Sequence, residues 1–145
     1  MLLLGEWFPS SDGTILPVLK GGVLAANGKW ISEHFLVDSG ADVTVLSPAV
    51  HRELRLPTNG VNGQLGGIGG VTGVTFVSTH IRSQRHDGGT AVFRGNYHTL
   101  AAAQHMEISV LGRDIIDMFA LIVDRPGNVV CLLREKHSYE IKEPT

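Results

Sequence analysis

The sequence is poor in several residue types, and each shortage excludes a class of protein. One cysteine, Cys131, in 145 residues leaves no internal disulfide and no zinc site built on cysteines. The net charge of −2 provides no basic footprint for nucleic acid. No apolar run approaches the roughly 20 residues of a membrane-spanning helix. The apolar residues Met1 to Leu4 are too few for the apolar region of a secretory signal, because the charged Glu6 follows at once. We therefore expect a cytoplasmic protein or the soluble portion of a larger one.

The residues that are abundant favour one β-rich domain. The length fits a single domain, since domains usually contain roughly 100–200 residues. Apolar residues make up 43% of the chain, which is enough for a packed core. The 18 glycines favour strands joined by tight turns over a bundle of helices. We predict an irregular lead-in over residues 1–13, one domain over residues 14–134 and a charged C-terminal tail over residues 135–145.

Turn and cap signals divide this domain into short elements. Asn27-Gly28 between two apolar segments predicts a hairpin with a type I′ turn, in which both central residues have positive φ. Ser47-Pro48 predicts the start of a short helix over about residues 48–54. The glycine-rich segment 59–73 leads into strand-like sequence and predicts a hairpin. A second short helix is expected to begin at Gly112.

The segment Phe35-Leu36-Val37-Asp38-Ser39-Gly40-Ala41-Asp42 carries the main chemical signal. Three consecutive apolar residues predict a strand buried on both faces, so the ionisable side chain that follows needs a partner or a chemical role. Gly40 permits a sharp turn, and the hydroxyl of Ser39 can pin a neighbouring loop. Two interpretations stay open on these residues alone: a carboxylate presented for chemistry, or an Asx turn between two strands.

Three motifs in the same order resemble the retroviral-type, or retropepsin-like, aspartic proteases. The first is the apolar-apolar-Asp-Ser-Gly-Ala-Asp pattern that ends at Asp42. The second is the segment Gly66 to Gly70, which is similar to the glycine-rich flap tip of that family. The third is the segment Ile108 to Ile116, which is similar to its apolar-apolar-Gly-Arg-Asp segment. The resemblance covers about residues 14–134 and implies an all-β fold, a closed or partly open barrel with a flap hairpin and one or two short helices.

This resemblance implies an aspartic endopeptidase that is active as a homodimer. In such enzymes two carboxylates share one proton, so that one activates water and the other polarises the scissile carbonyl. Only Asp38 follows the apolar-apolar-Asp-Ser/Thr-Gly pattern in this chain, and the second carboxylate therefore has to come from a second copy. No metal or organic cofactor is needed, and the substrate is a peptide or protein bound in extended form.

The resemblance also implies residues that support the catalytic aspartate. Ser39, Gly40 and Ala41 belong to the active-site loop. Asp42 is expected to be partly buried and to pair with Arg113, because a bidentate arginine–carboxylate pair would hold the loop against the C-terminal helix.

Other residues near the motifs are expected to bind substrate or to shape the fold. Gly67, Ile68 and Gly69 would close over the substrate as the flap, and Val110 would line the substrate pocket. Asp114 is expected to cap the short helix that follows Gly112.

Other interpretations use the same residues without proteolysis. A non-catalytic dimerisation or peptide-binding module could keep the fold, and a β-barrel ligand binder could use Asp38 only structurally. The Asp38-Ser39-Gly40 sequence also permits a serine-protease interpretation, but the residues directly before Asp38 and directly after Gly40 are not glycine, and the chain is short for that fold. The glycine hairpin does not fit the dinucleotide-binding fingerprint, since Thr72 stands where a glycine is required. The predicted hairpin from Phe119 to Leu133 favours cellular or bacterial members of the family over viral ones.

Overall fold

Strands make up most of the chain. A computed structural model describes residues 1–67, 70–100, 106–135 and 140–144, with the backbone alone over 60–67 and 70–74. Its strands are β1 (Leu2–Leu4), β2 (Glu6–Pro9), β3 (Ile15–Leu24), β4 (Trp30–Val37), β5 (Val45–Leu46), β6 (Asn59–Gly67), β7 (Gly70–Gln84), β8 (Thr90–Leu100), β9 (Ser109–Leu111), β10 (Ala120–Asp124) and β11 (Val129–Leu133). Its helices are α1 (Pro48–Leu54) and α2 (Arg113–Ile116).

Six of the strands close into a barrel. Their order around it is β3, β4, β9, β5, β8 and β7, and β7 returns to β3 through the pairs Gly22–Arg82 and Val23–Ile81. The strands β4 and β9 run parallel, as do β5 and β8. The strands β2 and β6 extend this sheet at β3 and β7. The predicted all-β barrel with short helices is confirmed.

The N-terminal residues add to both sheets of the fold. Leu2–Leu4 pair with β11, which also pairs with β10, and this makes a second sheet in the order β1-β11-β10. Glu6–Pro9 pair with β3. The prediction of an irregular lead-in over residues 1–13 was therefore wrong. Leu3 is fully buried in the core. Its strand is stabilised by pairing with a strand near the other end of the chain, and such long-range pairing cannot be recognised from the residues next to Leu3 in the sequence.

The core fills the barrel and the space beneath the smaller sheet. On β4, Phe35 and Val37 are buried, whereas Leu36 on the opposite face is only half-buried. The apolar segment before Asp38 is therefore anchored in the core by one of its faces. Other buried members of the core are Leu19, Val23, Leu46, Leu54, Val77, Ile81, Leu111, Ile115 and Leu132.

Both helices begin where the sequence predicts. The hydroxyl of Ser47 caps α1 by accepting a hydrogen bond from Val50 N at 3.3 Å, and Pro48 occupies the first turn. The helix ends at Arg55, which adopts a left-handed conformation with φ 52°. In the part of the chain that the structure describes, neither helix is long and apolar enough to cross a membrane. Of the predicted tail, residues 136–139 and 145 lie outside the described residues, and residues 140–144 form neither helix nor strand.

The hairpin at Asn27-Gly28 is present, but its turn differs from the predicted type I′. Gly28 has φ 81°, whereas Asn27 lies outside the positive-φ region. Gly28 N donates to Ala25 O at 3.0 Å, and Ala25 N donates to Lys29 O at 2.8 Å. The loop is thus a type I turn followed by a left-handed glycine. The type I′ prediction was wrong because the loop has a third residue, and the Asn27 side chain accepts from Lys29 N at 3.0 Å instead.

We expect Gly28→Ala to lower the free energy of unfolding by about 1–2 kcal/mol, the usual cost of a side chain in the left-handed region. No atom lies within 4 Å of an added Cβ, so the cost comes from the backbone alone. Urea unfolding measures it. Gly28→Asn is the control, because asparagine tolerates this conformation better. Equal losses for both variants would contradict the backbone explanation.

Candidate active site

The backbone of Asp38 is fixed by the parallel pairing of β4 with β9. Leu36 is in register with Val110, and Val37 with Leu111. Asp38 N donates to Leu111 O at 3.1 Å, which continues the pairing one step beyond the strand. The aspartate is therefore held at the carboxyl end of a strand that Phe35 and Val37 anchor in the core.

The Asp38 loop (residues 38–42) is a tight turn that presents the carboxylate. Asp38 Oδ1 accepts a hydrogen bond from Gly40 N at 2.9 Å, and Ala41 N donates to Asp38 O at 3.1 Å. Ser39 is exposed and Asp38 is partly exposed. Within the described residues no group donates to Asp38 Oδ2. The loop is thus an Asx turn that leaves one carboxylate oxygen open to a second group, so the two interpretations of the sequence are compatible.

The Asp38 loop is joined to α2 by backbone hydrogen bonds and an ion pair. Arg113 N donates to Ala41 O at 2.8 Å, and Asp114 N donates to Asp42 O at 3.2 Å. The guanidinium of Arg113 also pairs with the carboxylate of Asp42, as predicted. Both side chains are exposed, at 49% for Arg113 and 79% for Asp42, so the expected burial of Asp42 was wrong. An exposed pair of this kind contributes at most about 1 kcal/mol.

A buried threonine, Thr44, makes the stronger connection between the loop and α2. Thr44 is completely buried. Its N–H donates to Asp114 Oδ2 at 3.0 Å, and its hydroxyl donates to Asp114 Oδ1 at 2.7 Å. The same hydroxyl accepts from Gly112 N at 3.0 Å, while Thr44 O accepts from His98 N at 3.2 Å. Thr44 therefore joins the end of the Asp38 loop to β8, β9 and α2.

This network extends the predicted role of Asp114 and adds a residue that the sequence analysis missed. Gly112 occupies the N-cap position of α2 and makes no side-chain cap bond, whereas Asp114 Oδ1 accepts a hydrogen bond from Ile115 N in the first turn at 3.0 Å. The carboxylate of Asp114 also binds Thr44, because both polar groups of Thr44 would otherwise be buried without partners. A threonine between Val43 and Val45 in an apolar segment was the available signal.

The turn from β9 into α2 approaches the Asp38 loop so closely that only glycine fits at its centre. A Cβ on Gly112 would lie 2.3 Å from the carbonyl carbon of Val43 and 2.4 Å from its oxygen. Real Cβ atoms do not approach backbone atoms this closely. Gly112 is therefore needed for the contact that Thr44 and Asp114 stabilise.

A second carboxylate, Glu33, ties β4 to the elements on either side of it. Its Oε2 accepts hydrogen bonds from the hydroxyls of Ser47 at 2.8 Å and Ser109 at 2.9 Å. Ser47 N donates in turn to Ser109 Oγ at 2.9 Å. Both serines are buried. These bonds fix the start of α1 and the first residue of β9 against the strand that carries Asp38.

Two titratable groups next to Asp114 are held neutral near pH 7. Burial lowers the pKa of His98, and the charge of Asp114 opposes part of that shift. Burial also raises the pKa of the Tyr97 hydroxyl, and Asp114 adds to the effect. The carboxylate of Asp114 is therefore held by hydrogen bonds from Thr44 and Ile115 N and not by a cationic histidine.

An apolar cavity of about 250 Å³ opens beside the strands that hold Asp38. Leu36 and Val110 form one wall. Phe8 and Leu16 form another, and neither was predicted to line a cavity; Phe8 belongs to the segment 1–13 that was interpreted as irregular. The remaining lining residues are Ser10, Met106, Glu107 and Ile108. A larger cavity of about 550 Å³ lies along β8 and α2 and is lined by Asp114 and Ile115 among others. No residue of the Asp38 loop lines either cavity.

The glycine-rich segment forms the hairpin between β6 and β7. Leu65 pairs with Thr72, and Gly67 pairs with Gly70. Ile68 and Gly69, the predicted flap tip, lie outside the described residues. Within the described ranges no group of three or more His, Cys, Asp or Glu side chains could hold a metal ion.

Comparison with known proteins identifies the family. The sequence profile described as retroviral aspartyl protease matches residues 23–123, which is more than half of the chain. The chain therefore belongs to the retroviral aspartyl protease family. A comparison with curated protein sequences found no match.

Solved structures support the same fold. A retropepsin-like aspartic protease from Rickettsia conorii is similar with a TM-score of 0.55 and 14% identity, over 91% of this chain and 88% of that chain. The EIAV protease in complex with an inhibitor is similar with a TM-score of 0.51 and 21% identity, over 70% of this chain and 86% of that chain. At these identities the likeness concerns the fold, and it includes a bacterial as well as a viral protease.

We expect Asp114→Ala to be more destabilising than Arg113→Ala. Removing the Asp114 carboxylate leaves the buried Thr44 N–H and hydroxyl without an acceptor, at a cost of about 1–3 kcal/mol. Removing the exposed Arg113 side chain should cost less than about 1 kcal/mol. Urea unfolding of both variants measures the difference. If the order were reversed, the ion pair and not the Thr44 network would hold the loop.

Proposed function

We propose that this protein is an aspartic endopeptidase whose active site is completed by a second copy of the chain. The observation that carries the proposal is the single Asp38 carboxylate, held in a hydrogen-bonded turn at the end of a strand whose Leu36 lines an apolar cavity. Proteins of this family typically act as dimers on peptide substrates. One chain supplies one such aspartate, so two copies supply the pair that the chemistry needs.

In the proposed reaction the two Asp38 carboxyl groups, one from each copy, share one proton. The ionised carboxylate takes a proton from a water molecule, and the resulting hydroxide attacks the carbonyl carbon of the scissile peptide bond. The protonated carboxyl group polarises the carbonyl oxygen as negative charge develops there. The tetrahedral intermediate then collapses, the C–N bond breaks, and the departing nitrogen receives a proton from the pair.

The surrounding residues position the aspartate for this reaction. Ser39, Gly40 and Ala41 form the turn that orients the carboxylate, and the Asx hydrogen bond restrains its Oδ1. Asp42 and Arg113 connect the exposed side of the loop to α2. The buried connection through Thr44 supports the proposal because catalysis depends on geometry held to a fraction of an ångström.

The proposed substrate is an extended peptide with an apolar side chain next to the cleaved bond. The cavity beside β4 and β9 has an apolar wall formed by Leu36 and Val110, which suits such a side chain. We propose that Gly67, Ile68 and Gly69 close over the peptide as a flap, where glycine N–H groups could bond its backbone.

A non-catalytic dimerisation or peptide-binding module is the second candidate. It is favoured by the same observation that one chain holds only half of a site. The two candidates differ in whether a purified sample cleaves a denatured protein mixture, and in whether any cleavage requires Asp38.

We expect Asp38→Asn to abolish cleavage while the fold is retained, because the amide cannot share or accept the proton. Loss of general acid–base catalysis typically costs about 10²–10⁴-fold in rate. Asp87→Asn is a matched control, since Asp87 Oδ1 accepts from Gly89 N at 2.9 Å in the same kind of turn, at the far end of β7. Cleavage of a fluorogenic peptide is the readout. Equal cleavage by Asp38→Asn and the parent protein would remove Asp38 from the mechanism.

We expect specific activity to rise with protein concentration and to be highest in acid. Monomers hold half a site, so activity should follow the fraction of dimer. A pair of carboxyl groups that shares one proton works at a pH where one of them is protonated, and we expect an optimum at about pH 4–6 with little cleavage at about pH 8. A dilution series at several pH values, beside light scattering, measures both effects. Constant specific activity in samples that scatter as monomers would mean that one chain holds the complete site.

A further inference from the structure

One edge of β8 lacks a partner strand over most of its length. On one side, β8 pairs with β7 from Thr90 to Leu100 without a break in register. On the other side its described partner is β5, which pairs with β8 at His98 and Thr99. Within the described residues, the edge from Thr90 to Asn96 is therefore open, and it contains neither the proline nor the lysine that often blunts such an edge.

The alternation of the sheet determines which backbone groups point out of this edge. His98 N donates to Thr44 O on the β5 side at 3.2 Å. In an antiparallel pair, successive residues bond alternately toward the partner strand and away from it. Val92 and Arg94 lie an even number of positions before His98, so their N–H and C=O groups also point away from β7, whereas those of Phe93 point toward it. In the part of the chain that the structure describes, nothing bonds the outward N–H groups of Val92 and Arg94.

The cavity of about 550 Å³ runs along this open edge, and we call it the β8 groove. Every residue from Thr90 to Tyr97 lines it, and α2 contributes Asp114, Ile115 and Met118 to its lining. Its volume is within the range of roughly 300–1,000 Å³ that is usual for binding pockets. An added strand lies about 4.7–4.9 Å from its neighbour, so a chain seated in the groove can reach the unpaired backbone groups of β8.

One side of the β8 groove is apolar. Phe93 packs against the core, and its ring meets that of Phe119 edge to face at a centroid distance of 5.9 Å. On α2, Ile115 is buried and Met118 is 42% exposed. Val92 also lines the groove and is 54% exposed. Exposed apolar side chains in a concave surface favour apolar ligand groups, so a strand that binds here should carry apolar residues on the face toward α2.

The charged residues of the β8 groove favour an acidic ligand. Arg94 and Arg134 both line it, and within the described residues neither guanidinium forms an ion pair with a carboxylate. Arg94 Nε donates instead to His80 Nε2 at 2.9 Å. The carboxylate in the lining, that of Asp114, already accepts two hydrogen bonds from Thr44. Two guanidinium groups are therefore available to a carboxylate, which they can bind with paired hydrogen bonds.

We propose that the β8 groove is a docking site for a partner protein, which adds an extended segment as a strand beside residues 90–96. The segment places apolar side chains toward Phe93 and Met118 and an acidic side chain beside Arg94. In this mode of recognition the main-chain hydrogen bonds supply affinity and alternate side chains supply specificity. No residue of the Asp38 loop lines the groove, so this site goes beyond the proposed function.

The first test measures amide hydrogen exchange of the parent protein by NMR, with and without a probe. The probe is a blocked peptide, as long as the open edge, in which valine and glutamate alternate. With free peptide at ten times its Kd, exchange of the Val92 and Arg94 N–H groups should slow about tenfold, because only unoccupied protein exchanges. The Phe93 N–H is the internal control, since its bond to β7 is present with or without the peptide.

Two control peptides separate strand addition from other modes of binding. A peptide with lysine in place of glutamate should bind more weakly, because it meets Arg94 and Arg134 with like charge. A peptide with methylated backbone nitrogens keeps the side chains but cannot donate to β8 carbonyls, and it should not slow exchange at Val92 or Arg94. Equal protection by the methylated peptide would overturn strand addition.

The second test changes the groove. Arg94→Glu should reverse the preference, so that the lysine peptide binds more tightly than the glutamate peptide. Arg82→Glu is the matched control, because Arg82 is exposed on the neighbouring β7 and does not line the groove, and it should keep the parental preference. Val92→Pro removes one outward N–H and leaves the bonds to β7, so it should weaken binding several-fold. Circular dichroism checks that the variants are folded.

The remaining outcomes identify a different occupant or none. Slow exchange at Val92 and Arg94 without peptide would mean that this edge is already covered, by the chain itself if the effect is independent of protein concentration and by a second copy if it grows with concentration. Either result would overturn docking of a partner, as would unchanged exchange in millimolar peptide or protection confined to the Asp38 loop. None of these measurements uses cleavage, so an inactive protein would overturn the proposed function and leave this inference standing.

Discussion

The hydrogen bonds between Thr44 and Asp114 hold the candidate active site together. Thr44 is fully buried, so its N–H and hydroxyl need partners, and one carboxylate satisfies both. That carboxylate comes from the residue after Arg113, and the contact is possible only because Gly112 lets two backbone segments meet. The visible ion pair of Asp42 and Arg113 lies on the exposed side of the same junction and adds little to it.

The hydrogen bonds that fix the Asp38 loop also bear on how the proposed active site is completed. Because β4 and β9 are anchored in the barrel and α2 is bonded to the loop, the Asp38 carboxylate has little freedom within its own chain. Within the described residues no group donates to its Oδ2, and we propose that the Asp38 of a second copy completes the pair.

Local sequence signals predicted the elements that depend on neighbouring residues. Ser47-Pro48 marked the start of α1, and Asn27-Gly28 marked a hairpin at the right place. The turn type was wrong, because the two strands end one residue further apart than a type I′ turn allows. The strands β1 and β2 were missed altogether, since their stability comes from pairing with β11 and β3 and not from their own residues.

The sequence by itself determined where the carboxylate stands, that it follows an apolar strand, and that each chain has one such motif. These features depend on short-range periodicity and turn chemistry, which neighbouring residues decide. Only the tertiary structure decided that Asp114 binds the distant Thr44 as well as the first turn of α2, and that Phe8 and Leu16 line the cavity. Those outcomes depend on which distant segments pack together, and burial across the whole chain, not local propensity, selects the partners.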